Sequence, residues 1–259
     1  MDRSFRPLLR AALPVLALLL LALPVYAQRT KTVKETVRLD PKGEVWIDTY
    51  KGSITVTTWD RDEVAIDVRI EADEDEGPVA DTEIRIDAST HRLVLETDYD
   101  AVNKRRGLFG LKSISLPFAH YTIRMPRTAF LKIDDYKSDT RITGLRSDLN
   151  LDTYKGRVEI KDLEGALRLE TYKGEVEITF SHLADDSTIE TYKGEISLRL
   201  PQRDGFDLDT ELGRRGTLDT DFSLAGLHRS DHDYRGAVNG GGPRLRLETY
   251  KGTYRLYAH

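Results

Sequence analysis

Thr-Tyr-Lys-Gly occurs five times in this chain, with its tyrosines at Tyr50, Tyr154, Tyr172, Tyr192 and Tyr250. A sixth copy reads Asp135-Tyr136-Lys137-Ser138. From Tyr136 the tyrosines recur after 18, 18 and 20 residues, and an acid always stands two places before: Asp48, Asp134, Asp152, Glu170, Glu190 and Glu248. Decayed copies lie at Leu93-Val94-Leu95-Glu96-Thr97 and at Asp209-Thr210-Glu211-Leu212-Gly213. A unit this short cannot bury an apolar face by itself; neighbours must stack to make a core.

Within a unit the pattern alternates. Leu167, Leu169 and Thr171 share one face, and Arg168, Glu170 and Tyr172 the other. Period two means half-buried strands. Lys173-Gly174 then reads as a tight turn, since glycine takes positive φ without steric cost. The expectation is an all-β fold, a β-solenoid of 18–20-residue coils like a single-stranded parallel β-helix. Like residues should form columns one interstrand step apart: Leu149/Leu167/Ile189, Leu151/Leu169, Val158/Val176/Ile196 and Ile160/Ile178/Leu198 inward, with a threonine column beside them. The 39 residues from 211 to 250 correspond to about two further units.

The chain of 259 residues begins with Arg3, Arg6 and Arg10, an apolar run from Ala11 to Leu23, and Val25-Tyr26-Ala27 before Gln28. This is the layout of a cleaved secretory signal peptide over residues 1–27. The apolar run is short for a membrane span, and no later segment is apolar enough to cross. The remaining chain holds 36 basic and 43 acidic residues, a net charge of −7. That lacks the basic excess of a nucleic-acid binder. Cysteine is absent, which excludes disulfides, thiolate metal sites and thiol catalysis. Export without disulfides suits the periplasm or cell surface of a bacterium. Residues 28–118 read as an N-terminal β lobe with a basic and apolar insertion at 101–117, and residues 119–259 as the regular solenoid.

The Tyr-Lys ladder is the unusual surface feature: Tyr50, Tyr136, Tyr154, Tyr172, Tyr192 and Tyr250 with Lys51, Lys137, Lys155, Lys173, Lys193 and Lys251. Two readings stand. Stacked rings stabilise neighbouring strands by about 0.5–1.5 kcal/mol per pair, and the acids offset lysine repulsion, so the ladder is structural. Alternatively, aromatic faces edged by lysines bind an extended polymer such as an envelope polysaccharide, a glycolipid or another envelope protein. Lys104, Arg105 and Arg106 beside Leu108 and Phe109 offer a membrane contact or a connector folded onto the core. The Asp73–Pro78 loop lacks calcium-ligand spacing, and His228-Arg229-Ser230-Asp231-His232-Asp233 lacks zinc-site spacing. No metal, cofactor or catalytic residue is assigned. The acids belong to a repeat, whereas catalysis needs one singular cluster of unlike environments. The competing classes are a β-helix carbohydrate-active lyase or hydrolase, and an envelope-stress component that binds cationic peptides.

Gly52-Ser53-Ile54-Thr55-Val56, Trp59-Asp60-Arg61-Asp62-Glu63-Val64, Ile123-Arg124-Met125-Pro126, Leu131-Lys132-Ile133 and Asn239-Gly240-Gly241-Gly242-Pro243-Arg244-Leu245 occur in that order. With the rung string Leu-x-Leu-acid-Thr-x-x-Gly, this arrangement over residues 30–259 resembles exported bacterial β-strand-repeat proteins labelled putative adhesins, the domain-of-unknown-function 4097 group. The resemblance implies a β-solenoid-like fold, an envelope or surface location and a non-enzymatic binding or structural role. It supplies no catalytic residues. This chain departs from the family in its Tyr-Lys pair, where the family tolerates many residues.

Overall fold

Alternating burial runs through nearly every strand of the chain. The computed structural model describes residues 29–73, 79–109, 115–230 and 233–259. Residues 1–27, expected to be a signal peptide, the core of the acidic loop, and the side chains of Arg105, Arg106, Leu108 and Phe109 lie outside the described residues. The N-terminal strands are β1 (Thr30–Arg38), β2 (Glu44–Trp59), β3 (Glu63–Glu71), β4 (Glu83–Ala88) and β5 (Arg92–Asp98). Helix α1 (Asp100–Phe109) and β6 (Phe118–Pro126) follow, then β7 (Phe130–Thr143), β8 (Leu149–Glu164), β9 (Leu167–His182) and β10 (Ser187–Leu200). The chain ends with β11 (Phe206–Leu212), β12 (Thr217–Thr220), β13 (Ala225–Ser230), β14 (Asp233–Val238), β15 (Arg244–Thr249) and β16 (Thr253–Ala258).

Each regular unit is one long strand bent at Tyr-Lys-Gly. In β8 the inward residues are Leu149, Leu151 and Thr153 before the bend, and Val158, Ile160 and Leu163 after it. Inward parity changes across Tyr154–Arg157, so both legs face one core. The tight turn expected at Lys-Gly is therefore a corner inside a continuous strand. Glycine is needed there mainly because successive strands come close. A Cβ on Gly156 would stand 2.0 Å from the Ser138 carbonyl oxygen, and one on Gly174 2.3 Å from that of Gly156.

Strands β7, β8, β9 and β10 pair in parallel, in sequence order and in register. β2 pairs with β7 in the same way, matching Asp48 to Asp134. Beyond β2 lie β5 against its first leg and β6 against its second. The excursion holding α1 thus stands where other units have their corner, and Leu93–Glu96 takes the rung position expected of a decayed copy. One inward column needs correcting. Ile189 pairs with Leu169, and Leu167 faces Ser187, whose hydroxyl accepts from the Leu167 amide at 2.9 Å.

The two ends depart from a simple coil stack. β15 and β16 pair directly with β10, so the last unit follows β10 in space although 58 residues separate Tyr192 from Tyr250. Residues 201–243 therefore do not supply two units between them. Strand β11 lies outside β15, and its register sets Glu211 against Glu248 and Leu212 against Thr249. The decayed copy at 209–213 is thus offset by two residues from the alignment its Asp-Thr pair suggests. Antiparallel pairs flank the stack: β1 on β3, β3 on β6 and β4 on β5 at one end, β14 on β11 and β13 on β14 at the other. The result is an almost all-β domain with a repeat-like sheet, parallel in its middle and antiparallel at its flanks. One apolar cluster runs from Leu39 to Leu256, so residues on both sides of position 118 share a core.

Candidate functional site

Register places the six repeat tyrosines in a single file. Their ring centroids are 4.8, 4.8, 4.7, 4.9 and 5.2 Å apart from Tyr50 through Tyr136, Tyr154, Tyr172 and Tyr192 to Tyr250. The first four pairs are within 6° of coplanar. The rings therefore cover one another's faces and present only edges and hydroxyls to solvent, at 38 to 42% exposure from Tyr50 to Tyr192. The flat aromatic strip expected from sequence is not available in mid-file. Tyr99 stands edge-on to Tyr50, at 6.5 Å and 77°, and closes that end.

Two residues earlier on the same face is a row of acids, one per strand. Glu96, Asp48, Asp134, Asp152, Glu170, Glu190, Glu248 and Glu211 are matched in register across eight strands. At one interstrand step, like charges repel by roughly 1 kcal/mol in water before screening. Trp46 Nε1 donates to Asp134 at 2.7 Å, and Lys132 pairs with Asp134 at 2.8 Å. Arg246 binds Glu248 and, at 2.8 Å, Glu211. Between these ends Asp152, Glu170 and Glu190 form no ion pair among the described residues. Other exposed rows are compensated strand to strand, as in Arg157–Glu175 at 2.5 Å and Arg255–Glu195 at 3.1 Å.

Burial first, then the neighbouring carboxylates, raises the pKa values of Asp48, Asp152 and Glu190. A carboxyl raised in this way holds its proton more tightly folded than unfolded. Its stabilising share is complete below the unfolded pKa and is lost as pH rises through the folded value. The row therefore subtracts stability at neutral pH. The Glu190→Gln protein should exceed wild type at pH 7 by about a few tenths of a kcal/mol after solvent screening. The gap should close toward roughly pH 4, the unfolded glutamate value. Urea midpoints at pH 5 and 7 measure this, and a gap that widens on acidification contradicts it.

Asp152, Glu170, Glu190, Glu248 and Glu211 of the acid row and Tyr154, Tyr172, Tyr192 and Tyr250 of the file are the walls of one groove of about 730 Å³, which Gly213 and Asp233 also line. The threonines between the rows point inward: Thr49, Thr153, Thr171, Thr191 and Thr249 are buried. Asp135 takes the threonine place in β7. Its carboxylate accepts from the Ser138 amide at 2.8 Å, the Ser138 hydroxyl at 2.6 Å and the Thr153 hydroxyl at 2.9 Å. Burial raises its pKa against those hydrogen bonds. In the unit without threonine and glycine, aspartate and serine thus satisfy each other.

The lysines do not form a uniform edge. Lys137, Lys173 and Lys193 are exposed, and Lys155 and Lys251 half-exposed. Lys51 is 7% exposed and meets Asp73 at 2.6 Å, Ser115 at 3.2 Å and the Phe118 ring at 4.2 Å. Its burial removes it from any solvent-facing ladder. Lys104 is exposed on α1, a helix absent from the sequence reading of 101–117. No group of three or more His, Asp or Glu arranged for a metal occurs among the described residues. No helix among them is long and apolar enough to cross a membrane.

The acid row is what sequence reasoning left unweighted. The sequence pairs each acid with a lysine, and the signal for the row is the strict offset of two from each tyrosine. Strand pairing turns that offset into a second wall.

No curated protein matches the chain. Among solved structures, a putative cell adhesion protein from Clostridium sporogenes aligns over 88% of this chain and 100% of its own, with TM-score 0.53 and 14% identity. A putative adhesin from Bacteroides fragilis aligns over 87% of this chain and 97% of its own, with TM-score 0.45 and 16% identity. The first likeness is one of fold. By sequence, residues 127–237, from just before β7 into β14, match the model of the Toastrack DUF4097 family.

Proposed function

We propose that this chain is a non-enzymatic, exported binding module of the bacterial cell envelope, with adhesin-like action. Its stacked coils form a solenoid that holds an extended polysaccharide. The observation that carries this reading is the groove between the tyrosine file and the acid row, which offers the same side chains at every interstrand step. A polymer lying along it meets phenol hydroxyls on one side and carboxylates on the other, both suited to sugar hydroxyls. Repetition argues against catalysis, because acid–base work needs two carboxyls driven to opposite pKa values, whereas the shifted acids of this row all move upward. Export rests on the charged and apolar layout of residues 1–27.

The test is a glycan array probed with wild type and with the triple variant Asp152→Asn, Glu170→Gln, Glu190→Gln. Wild type should bind long polysaccharides. The variant should bind them about tenfold more weakly, having lost charge-assisted hydrogen bonds, while unfolding at or above the wild-type denaturant midpoint. A variant that binds as wild type does sinks the reading. The unpaired state of Asp152, Glu170 and Glu190 favours a second occupant, a cationic peptide segment. That affinity would fall steeply with salt, whereas binding of a neutral polysaccharide would not.

A further inference from the structure

The tyrosine file has two ends, and they differ. At the Tyr50 end, Tyr99 closes the stack edge-on. At the other end Tyr250 is 56% exposed, against 39% for Tyr192 behind it. The strand beside Tyr250 is β11, whose register sets Leu212 against Thr249 and so brings Gly213 alongside Tyr250. The Gly213 amide donates to the Thr249 carbonyl at 2.7 Å. A Cβ on Gly213 would lie 2.7 Å from the Tyr250 carbonyl oxygen, so no L side chain fits there without displacing backbone. The next ring position of the stack is thus empty because the backbone packing forbids a side chain.

We infer that this position is a seat for one pyranose ring, whose C–H face stacks on the open face of Tyr250. The inference rests on the polysaccharide reading above and names where a sugar is held. Aromatic faces attract the positively polarised edges of apolar groups. The rim supplies both kinds of hydrogen-bonding partner that hydroxyls require. Glu211, Asp233 and Glu248 line the same groove as Tyr250, and the Arg246 guanidinium binds Glu211 and Glu248. Arg246 matches two of the three carboxylates, and the Lys251 ammonium lies 5.2 Å from the Tyr250 ring centroid and 5.4 Å from that of Tyr192, so neither charge dominates and the seat favours a neutral hydroxylated ring over a charged one. A second copy of the chain could not extend the file head to tail, because Tyr99 blocks the end it would present.

The experiment measures binding of cellobiose, maltose and N,N′-diacetylchitobiose to the purified protein by saturation-transfer NMR and calorimetry. At least one disaccharide should bind, with saturation concentrated on ring C–H protons. Tyr250→Ala should weaken it about tenfold, the scale of one aromatic contact. Tyr250→Phe, which keeps the face, and Tyr257→Ala, an aromatic outside the groove lining, should each stay within about threefold of wild type. Unchanged far-UV circular dichroism confirms that the variants are folded. The seat is overturned if no disaccharide binds, if Tyr250→Ala binds like wild type, or if sedimentation shows that Tyr250 instead mediates dimerisation. Should long polysaccharides bind the groove equally well with Tyr250→Ala, the seat fails and the groove reading survives. Should disaccharides bind through Tyr250 while no polysaccharide binds, the seat stands and the groove reading fails.

Discussion

Gly156→Ala should lower the stability of the protein by about 3 kcal/mol or more, as read by urea unfolding. The added methyl would meet the Ser138 carbonyl oxygen at 2.0 Å, and Gly156 sits at φ 155°. Relief requires moving the backbone of β7 or β8, each held by parallel pairing on both sides. Two comparisons separate crowding from conformational strain. Gly174 has no left-handed φ, yet its Cβ would stand 2.3 Å from the Gly156 carbonyl oxygen. Gly240 has φ 91° but nothing within 4 Å. Gly174→Ala should therefore cost nearly as much as Gly156→Ala, and Gly240→Ala only about 1 kcal/mol. If Gly240→Ala proved the costlier of these two, close strand approach would not be the reason for glycine at the corner.

Leu169→Ala should cost about 3 kcal/mol by the same measurement. Leu169 is 1% exposed and stands in an inward column between Leu151 and Ile189. Removing a buried leucine side chain loses its transfer free energy, and the remaining cavity adds to the cost where neighbours cannot close in. Here they cannot move far, because the ladder hydrogen bonds of β8 and β10 fix their distance from β9 at one interstrand step. A loss below about 1 kcal/mol would mean that this column is loosely packed.

Much of the stack was legible before any coordinates. Identical units with a period of two show which residues face inward, and the constant offset from acid to tyrosine is enough to place both in rows. Even the degenerate rung at Leu93–Thr97 carries its register: the Thr97 hydroxyl lies 3.0 Å from that of Thr49. Sequence pattern and structure part where units differ in length or composition. Ile189 belongs with Leu169 because register is counted from the acid, while the two extra residues of that 20-residue spacing fall in the preceding turn. The rung at β11 is set by Glu211 opposite Glu248, not by its Asp-Thr pair. Lys51 looks like every other lysine of the repeat, but the strands β3 and β6 bring Asp73 and Ser115 over it.

The amino-acid sequence by itself determined the strands, their inward faces, the corners and the grouping of like side chains, since these depend on local alternation and on near-identical units. Tertiary structure alone decided that β15 enters between β10 and β11, that β5 and β6 precede β2 in space, and which strands cap the stack. A strand edge offers the same backbone donors and acceptors to any partner, so repetition permits several orders. Long-range packing of dissimilar end strands selects one. The same selection sets Tyr99 against the Tyr50 end of the file and leaves Tyr250 the most exposed of the six, a difference that six near-identical motifs do not reveal.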